Sequence, residues 1–232
     1  MQTTERNVSH TRLTDANVYS RNTNLMAKPA RIPKKGGRFH HGNLRPALIQ
    51  AALQVLRQRG AEAITLREIA RLTGVTHTAP YRHFSDKDAL LAAVAADGFR
   101  VLGERMKQVK GANPLDQLLE IGVHYIHFAA QNPEQFRLMY GPELAARKSH
   151  PDLQTAAATA FRLLVEVVEA AQHDCLVRDG DRVEIALTAW SMVHGLSLLI
   201  LDHQLEDAGV GKSEVKRVVD FATQALRDGL RR

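Results

Sequence analysis

The amino-acid sequence predicts an all-α fold, with an N-terminal three-helix helix-turn-helix domain followed by a helical C-terminal domain. Apolar residues make up 44% of the 232 residues, which is enough for a substantial core. They recur at spacings of three and four through Ala- and Leu-rich segments, the period of an α-helix. Strands would require runs of Val, Ile, Thr and aromatic residues bounded by turn residues, and the sequence lacks that pattern.

Residues 1–41 are predicted to form a disordered basic arm. The segment is polar and carries Pro29, Pro33 and a Gly36-Gly37 pair. Between residues 1 and 38 there are eight basic and two acidic residues, which accounts for the whole net charge of +6. Such an arm suits a polyanionic partner. A solvated leader without a partner, or a translation start at Met26, is equally compatible with the sequence.

Residues 42–102 are predicted to form the first folded domain. Its first helix runs from about Leu44 to Arg59, and Gly60 follows where a left-handed residue is expected. A second helix opens at Thr65, which forms a capping-box pattern with Glu68. It ends at Gly74.

A short segment from His77 to Phe84 follows after a turn of three residues. The stretch Ser85-Asp86-Lys87-Asp88 then caps a long helix that extends through about Gln108. This order is typical of a helix-turn-helix motif. A proline in the first turn of a helix forfeits no hydrogen bond, so the recognition helix is predicted to begin just before Pro80. Phe84 is predicted to be a core residue.

Residues 103–232 are predicted to be helical throughout. The predicted helices are Asn113 to about Gln131, Pro133 to Met139, Pro151 to Gln172, Asp181 to His203, and Ser213 to Leu230. The apolar run from Ile185 to Leu201 is short for a membrane span, which needs about 20 residues. We interpret it as a buried helix at a subunit interface. The last helix has a narrow apolar stripe suited to packing against another helix.

The first motif is Thr65-Leu-Arg-Glu-Ile-Ala-Arg-Leu-Thr-Gly-Val-Thr-His-Thr-Ala-Pro-Tyr-Arg-His-Phe84, followed by Ser85-Asp-Lys-Asp-Ala-Leu-Leu91. This motif resembles the N-terminal domain of TetR-type regulators. Ala189-Trp-Ser-Met-Val-His-Gly195 resembles a Trp-x-x-x-His-Gly signature of one ligand-binding subgroup. The resemblance implies a homodimer that binds DNA through the first three helices. It also implies an effector-binding and dimerisation domain over residues 103–232, with the last two helices in a four-helix bundle.

Nine residues are expected to contact a double-stranded DNA operator: Thr65, Thr76, His77, Thr78, Ala79, Tyr81, Arg82, His83 and Lys87. Residues 77–79 and Tyr81 have short or flat side chains that suit base edges. The resemblance implies that Tyr81, His83 and Lys87 chiefly contact the phosphate backbone. Local packing is the alternative for Tyr81 and His83, and simple solvation is the alternative for Arg82.

A small-molecule effector of unknown identity is expected in the C-terminal domain. The candidate residues are Tyr125, Phe128, Phe136, Met139, Tyr140, Trp190 and His194. They mix aromatic, soft and hydrogen-bonding groups, as a mostly apolar pocket does. The alternative is that most of them are ordinary core residues.

Two other classes of protein compete with a ligand-responsive repressor. Glu120, His124 and His127 share a helix face that could bind a divalent cation in a metal-dependent helical enzyme, although a solvated face is favoured. We therefore expect no cofactor, no bound metal and no catalysis, because metal-protease, phosphate-loop and nucleophile motifs are also absent. The second alternative is a nonspecific nucleoid protein that uses the basic arm. The single Cys175 and the lack of a signal-peptide pattern favour the cytoplasm, at the nucleoid and away from a membrane.

Overall fold

The computed structural model describes residues 44–142 and 150–231. The predicted basic arm lies outside the described residues. Within them, nine α-helices form: α1 (Leu44–Arg59), α2 (Leu66–Thr73), α3 (Lys87–Gln108), α4 (Pro114–Gln131), α5 (Pro133–Tyr140), α6 (Pro151–His173), α7 (Arg182–Leu201), α8 (Gln204–Asp207) and α9 (Val215–Leu230). The described part of the chain has no strand beyond an isolated bridge between Val177 and Arg231. The all-α prediction is confirmed.

Side-chain caps explain why the helices begin where the sequence predicts. Thr65, Asp86, Asn113 and Asp181 each accept a hydrogen bond from a backbone N–H in the first turn of the helix that follows. These bonds satisfy amides that have no intrahelical acceptor. Gly74 ends α2 with φ 71° and ψ 24°, the left-handed conformation that glycine adopts without a Cβ clash.

The segment predicted to be the recognition helix is not α-helical. Residues 77–79 form a turn, and only Pro80–Arg82 form a 3₁₀ turn. The backbone closes through bonds from Ala79 N to Thr76 O at 3.0 Å and from Phe84 N to Pro80 O at 3.0 Å. The segment is short, because the cap of α3 follows directly, and 3₁₀ bonding is common in such short connectors.

Two local details around α2 also differ from the predictions. Gly60 has a positive φ of 77°, but its ψ of 174° is extended because the residue begins a 3₁₀ turn. The side chain of Glu68 does not cap α2. Its carboxylate instead accepts hydrogen bonds from Arg59 and Arg71. The Thr65 half of the capping box is present, with Glu68 N donating to Thr65 Oγ1 at 3.1 Å.

α3 is the central helix. It packs against α1 on one side and against α5 and α6 on others, and its buried residues extend from Leu90 to Met106. The buried Gln135 of α5 donates from Nε2 to the Val94 carbonyl of α3 at 3.0 Å, and Gly98 lets α5 approach closely. The division between residues 102 and 103 falls inside α3 and stays a prediction.

α7 is the one described helix that is long and apolar enough to cross a membrane. One of its faces packs into the core through Ile185, Ala189 and Val193. Large apolar side chains are also exposed along this helix, each between 36% and 41% exposed: Val183, Leu187, Met192 and Leu199. The helix is therefore only half covered by the rest of its own chain.

Candidate DNA-binding surface and effector cavity

Seven of the nine predicted DNA-contacting residues are exposed. They are Thr65, Thr76, His77, Thr78, Tyr81, Arg82 and His83, while Ala79 and Lys87 are half-buried. Tyr81 is 57% exposed. This exposure argues against the packing alternative for Tyr81, because a tyrosine that fills a local core would be covered.

Two buried anchors hold this exposed segment in place. Pro80 lies at the start of the 3₁₀ turn and is fully buried, and Phe84 is 3% exposed, which confirms its predicted place in the core. The Arg45 guanidinium of α1 lies 5.5 Å from the centre of the Phe84 ring. The side chains between the anchors are thus presented outward from a backbone that is fixed at both ends.

Two polar contacts lie at the two ends of this segment. The hydroxyl groups of Thr76 and Thr78 lie 3.3 Å apart. Lys87 Nζ donates to the Glu62 carbonyl at 3.4 Å and lies 3.7 Å from the Glu62 carboxylate. The Glu62 side chain is 97% exposed, so this ion pair is weak and Lys87 can exchange it for another anion.

An ion-pair network orients the outer face of α2. The Glu68 carboxylate accepts hydrogen bonds from Arg71 at 2.8 and 2.9 Å and from Arg59 at 2.9 Å. The Arg71 and Arg59 bonds lower the pKa of Glu68 from 4.5 to about 2. The sequence pattern indicated only a capping role for Glu68, because the approach of Arg59 depends on how α1 crosses α2.

A cavity of about 300 Å³ lies among the helices of the C-terminal half. Helices α3, α4, α6, α7 and α9 and the end of α5 contribute side chains to its wall, which is overwhelmingly apolar. Of the predicted effector-binding residues, Tyr125, Tyr140 and Trp190 line it.

Four predicted effector-binding residues lie behind the wall of the cavity. Phe128, Phe136 and Met139 are buried, and none of them lines the cavity. A Cβ at Gly98 would lie 2.5 Å from Met139 Sδ, so Met139 points toward α3. His194 also lies outside the lining, where it supports Tyr125.

A buried hydrogen-bond cluster forms the polar part of the cavity wall. Tyr125 is 4% exposed; its hydroxyl accepts a bond from Trp190 Nε1 at 3.1 Å and lies 2.8 Å from His194 Nδ1. Burial, with a further contribution from Tyr140, raises the pKa of Tyr125. Burial lowers the pKa of His194. Both groups are therefore neutral near pH 7, and the unprotonated His194 Nδ1 can accept the Tyr125 hydrogen.

Sequence analysis did not single out most of the cavity wall. The missed residues include Phe99, Leu102, Met106, Phe161 and Leu164. They have the helical spacing of core residues, and nothing in that pattern separates a side chain that faces a cavity from one that faces a packed neighbour.

The helix face of Glu120, His124 and His127, which was the alternative cation site, does not form such a site. Within residues 44–142 and 150–231, no group of three His, Cys, Asp or Glu residues is placed to hold a metal ion. The rings of His124 and His127 have centroids 6.4 Å apart. Burial and the neighbouring His124 lower the pKa of His127.

Comparison with known proteins identifies the family. Residues 48–94 match the family model of bacterial regulatory proteins of the tetR family, and residues 118–226 match that of the tetracyclin repressor-like C-terminal domain. The chain belongs to the TetR family. The match to both halves confirms the resemblance that the sequence around residues 65–91 predicted.

Individual relatives and solved structures are consistent with this assignment. An HTH-type transcriptional regulator of Mycobacterium tuberculosis is 25% identical over 138 residues, and the match covers 58% of each chain. The chain thus spans 58% of the length of the curated relatives that it matches. A solved structure of a protein of unknown function from Rhodococcus sp. RHA1 is 30% identical, with a TM-score of 0.71 over 84% of this chain and 98% of the other. A tetR-family regulatory protein from Rhodococcus RHA1 shares the fold at 21% identity, with a TM-score of 0.56 over 78% and 96% of the two chains.

Proposed function

We propose that this TetR-family chain is a DNA-binding transcriptional regulator, and specifically a ligand-responsive repressor that binds a near-palindromic operator as a homodimer. The exposed segment from Thr76 to His83, which the buried Pro80 and Phe84 anchor, carries the proposal. Docking into a DNA groove is favoured by a polar, outward-facing segment on a fixed backbone. A mobile backbone would lose conformational entropy on binding, and this loss would weaken the complex.

The proposed contacts divide into two kinds. Thr78 and Ala79 have short side chains that let the backbone approach base edges in the major groove, and His77 can hydrogen-bond to them. Tyr81, His83 and Lys87 surround this centre and are proposed to contact phosphates. Thr65, Thr76 and Arg82 are proposed to extend the same contact area.

A second copy of the chain is the proposed partner, through the last two long helices. The exposed apolar residues of α7 are not covered by the core, and Phe221 of α9 is 75% exposed. These side chains gather on two helices that pack against each other, and such a concentration of exposed apolar side chains is typical of a protein interface. A dimer would place two DNA-binding segments on half-sites about 34 Å apart.

The apolar cavity supports a small-molecule effector as the signal for release from DNA. A ligand shifts the DNA-binding equilibrium only by its differential affinity for the two conformations, and a coupling of roughly 1 to 3 kcal/mol changes affinity about 5- to 150-fold. Such a regulator would act in the cytoplasm, at the nucleoid. We assign it no catalytic reaction, cofactor or metal.

Selection of bound DNA from a random pool, followed by two single variants, tests the DNA-binding proposal. Thr78→Ala should change the preferred sequence, because it alters contacts to bases. Lys87→Ala should weaken binding to all sequences and flatten the salt dependence by the loss of about one phosphate contact. A pool that yields no preferred sequence at fixed salt would contradict the proposal and favour the nonspecific nucleoid protein.

Sedimentation of an interface variant tests the homodimer. Phe221→Glu places a charge on the proposed interface and should shift the protein to a monomer that binds the operator weakly. Gln108→Glu, which adds the same charge at an exposed position of α3, is the matched control and should leave the dimer intact. A wild-type protein that sediments as a monomer while bound to a single half-site would refute the dimeric arrangement.

A further inference from the structure

We infer that the cavity takes an uncharged, mainly apolar ligand of about ten non-hydrogen atoms that carries one hydroxyl group. This inference deepens the proposed function, because it names the chemical class of the effector and rests on the assignment of the cavity as the effector site.

The described part of the cavity wall offers no partner for a charge. No Asp, Glu, Lys or Arg side chain lines it among the residues that the structure describes. Its wall is built from residues such as Leu102 and Met106 of α3, Ile121 of α4, Leu164 of α6 and Val193 of α7. An ionised ligand would lose its hydration there without a compensating ion pair, which is strongly unfavourable.

The polar groups at the wall are also neutral. The Tyr125 hydroxyl is held in its protonated form by burial, and His194 behind it is held in its neutral form by burial. Neither can balance a carboxylate or an ammonium group. Tyr125 and Tyr140 line the cavity, and a tyrosine oxygen has two acceptor lone pairs, so the Tyr125 oxygen that already accepts from Trp190 can accept a second hydrogen bond from a neutral hydroxyl group.

The size of the cavity limits the ligand. Its volume of about 300 Å³ is within the lower range of small-molecule sites. Because a water molecule occupies about 30 Å³ in the liquid, the space holds about ten non-hydrogen atoms. An eight-carbon chain with one polar group is therefore a suitable probe.

Three probes with the same chain length and different charge test the inference: 1-octanol, octanoate and octylammonium. Trp190 is the only tryptophan and lines the cavity, so its fluorescence reports occupancy in the full-length protein. We expect saturable binding of 1-octanol, with an affinity at least about tenfold greater than that of either ion. Equal or tighter binding of octanoate or octylammonium would overturn the inference, as would the absence of saturable binding of 1-octanol.

Variants on α6 locate the bound probe. Ala157→Phe fills part of the cavity and should abolish the 1-octanol response, while Ala170→Phe, on an exposed position of the same helix, should not. Ala158→Phe lies at the exposed rim of the cavity and serves as the second filling variant if Ala157→Phe loses its helical circular dichroism. Wild-type binding of 1-octanol by a folded filling variant would place the probe elsewhere and refute the inference.

The same probes in a DNA-binding assay separate this inference from the proposed function. If 1-octanol binds with the expected preference but leaves DNA affinity unchanged, the ligand class stands and the proposed ligand-responsive repression is contradicted. If the ions bind as tightly as 1-octanol and also release DNA, ligand-responsive repression stands and the inferred ligand class is wrong.

Discussion

Replacing Tyr125 with phenylalanine removes one hydroxyl group that interacts with Trp190, His194 and Tyr140. Trp190 Nε1 donates to it at 3.1 Å, and His194 Nδ1 lies 2.8 Å away. A buried polar group that loses its partner costs about 1–3 kcal/mol. Trp190 and His194 are both half-buried, so water can partly compensate each of them, and we expect a total loss of about 2 kcal/mol. For a chain of this size, that loss lowers the Tm by about 4–8 °C.

Thermal unfolding followed by circular dichroism measures the effect of Tyr125→Phe, at one fixed protein concentration because dimerisation shifts the apparent Tm. Tyr81→Phe is the matched control. Its hydroxyl belongs to a side chain that is 57% exposed, so the Tm should stay unchanged while DNA affinity falls. A Tm for Tyr125→Phe equal to that of the wild type, or an equal loss in both variants, would refute the assigned role of the buried hydroxyl.

Three further outcomes are expected from local features of the helices. Gly98→Ala should destabilise the protein by about 1–2 kcal/mol in urea unfolding, because the new Cβ would lie 2.5 Å from Met139 Sδ of α5. Gly229→Ala should instead stabilise the protein by up to about 1 kcal/mol, because its new Cβ would have no atom within 4 Å. Asn113→Ala should cost about 1 kcal/mol through loss of the α4 cap, and Asn113→Ser should restore most of it. Because the pKa of Glu68 is depressed to about 2, its contribution to stability is present above pH 4.5 and lost as the pH falls toward 2. The stability difference between wild type and Glu68→Gln should therefore shrink over that pH range, and a constant difference would contradict the ion-pair assignment.

The helix boundaries could be predicted from sequence because the chemistry that sets them is local. Thr65, Asp86 and Asn113 each satisfy an amide three residues ahead, and that spacing is visible in the chain. The recognition segment was predicted less well. Its 3₁₀ geometry depends on the burial of Pro80 beneath neighbouring helices, which no local pattern specifies.

The cavity was only partly predictable for a different reason. Tyr125, Tyr140 and Trp190 could be singled out because aromatic residues with polar atoms are unusual in an apolar stripe. Phe136 and Met139 look equally suitable in sequence but are fully buried, outside the lining of the cavity. The difference depends on the rotation of α5 about its axis, which is set by its packing against α3.

The central helix α3 links the two ends of the molecule mechanically. Its first residue, Lys87, belongs to the proposed DNA-binding surface, and Met106 near its other end lines the cavity. At a rise of about 1.5 Å per residue, these two positions are about 28 Å apart, and a tilt of about 5° at one end moves the other by about 2 Å. In a symmetric dimer the two displacements add to about 4–5 Å, compared with a DNA repeat of about 34 Å. Under the proposed function this helix would act as a lever arm, and a deformation of the cavity by a few ligand atoms would become a misfit between the dimer and the spacing of two DNA grooves.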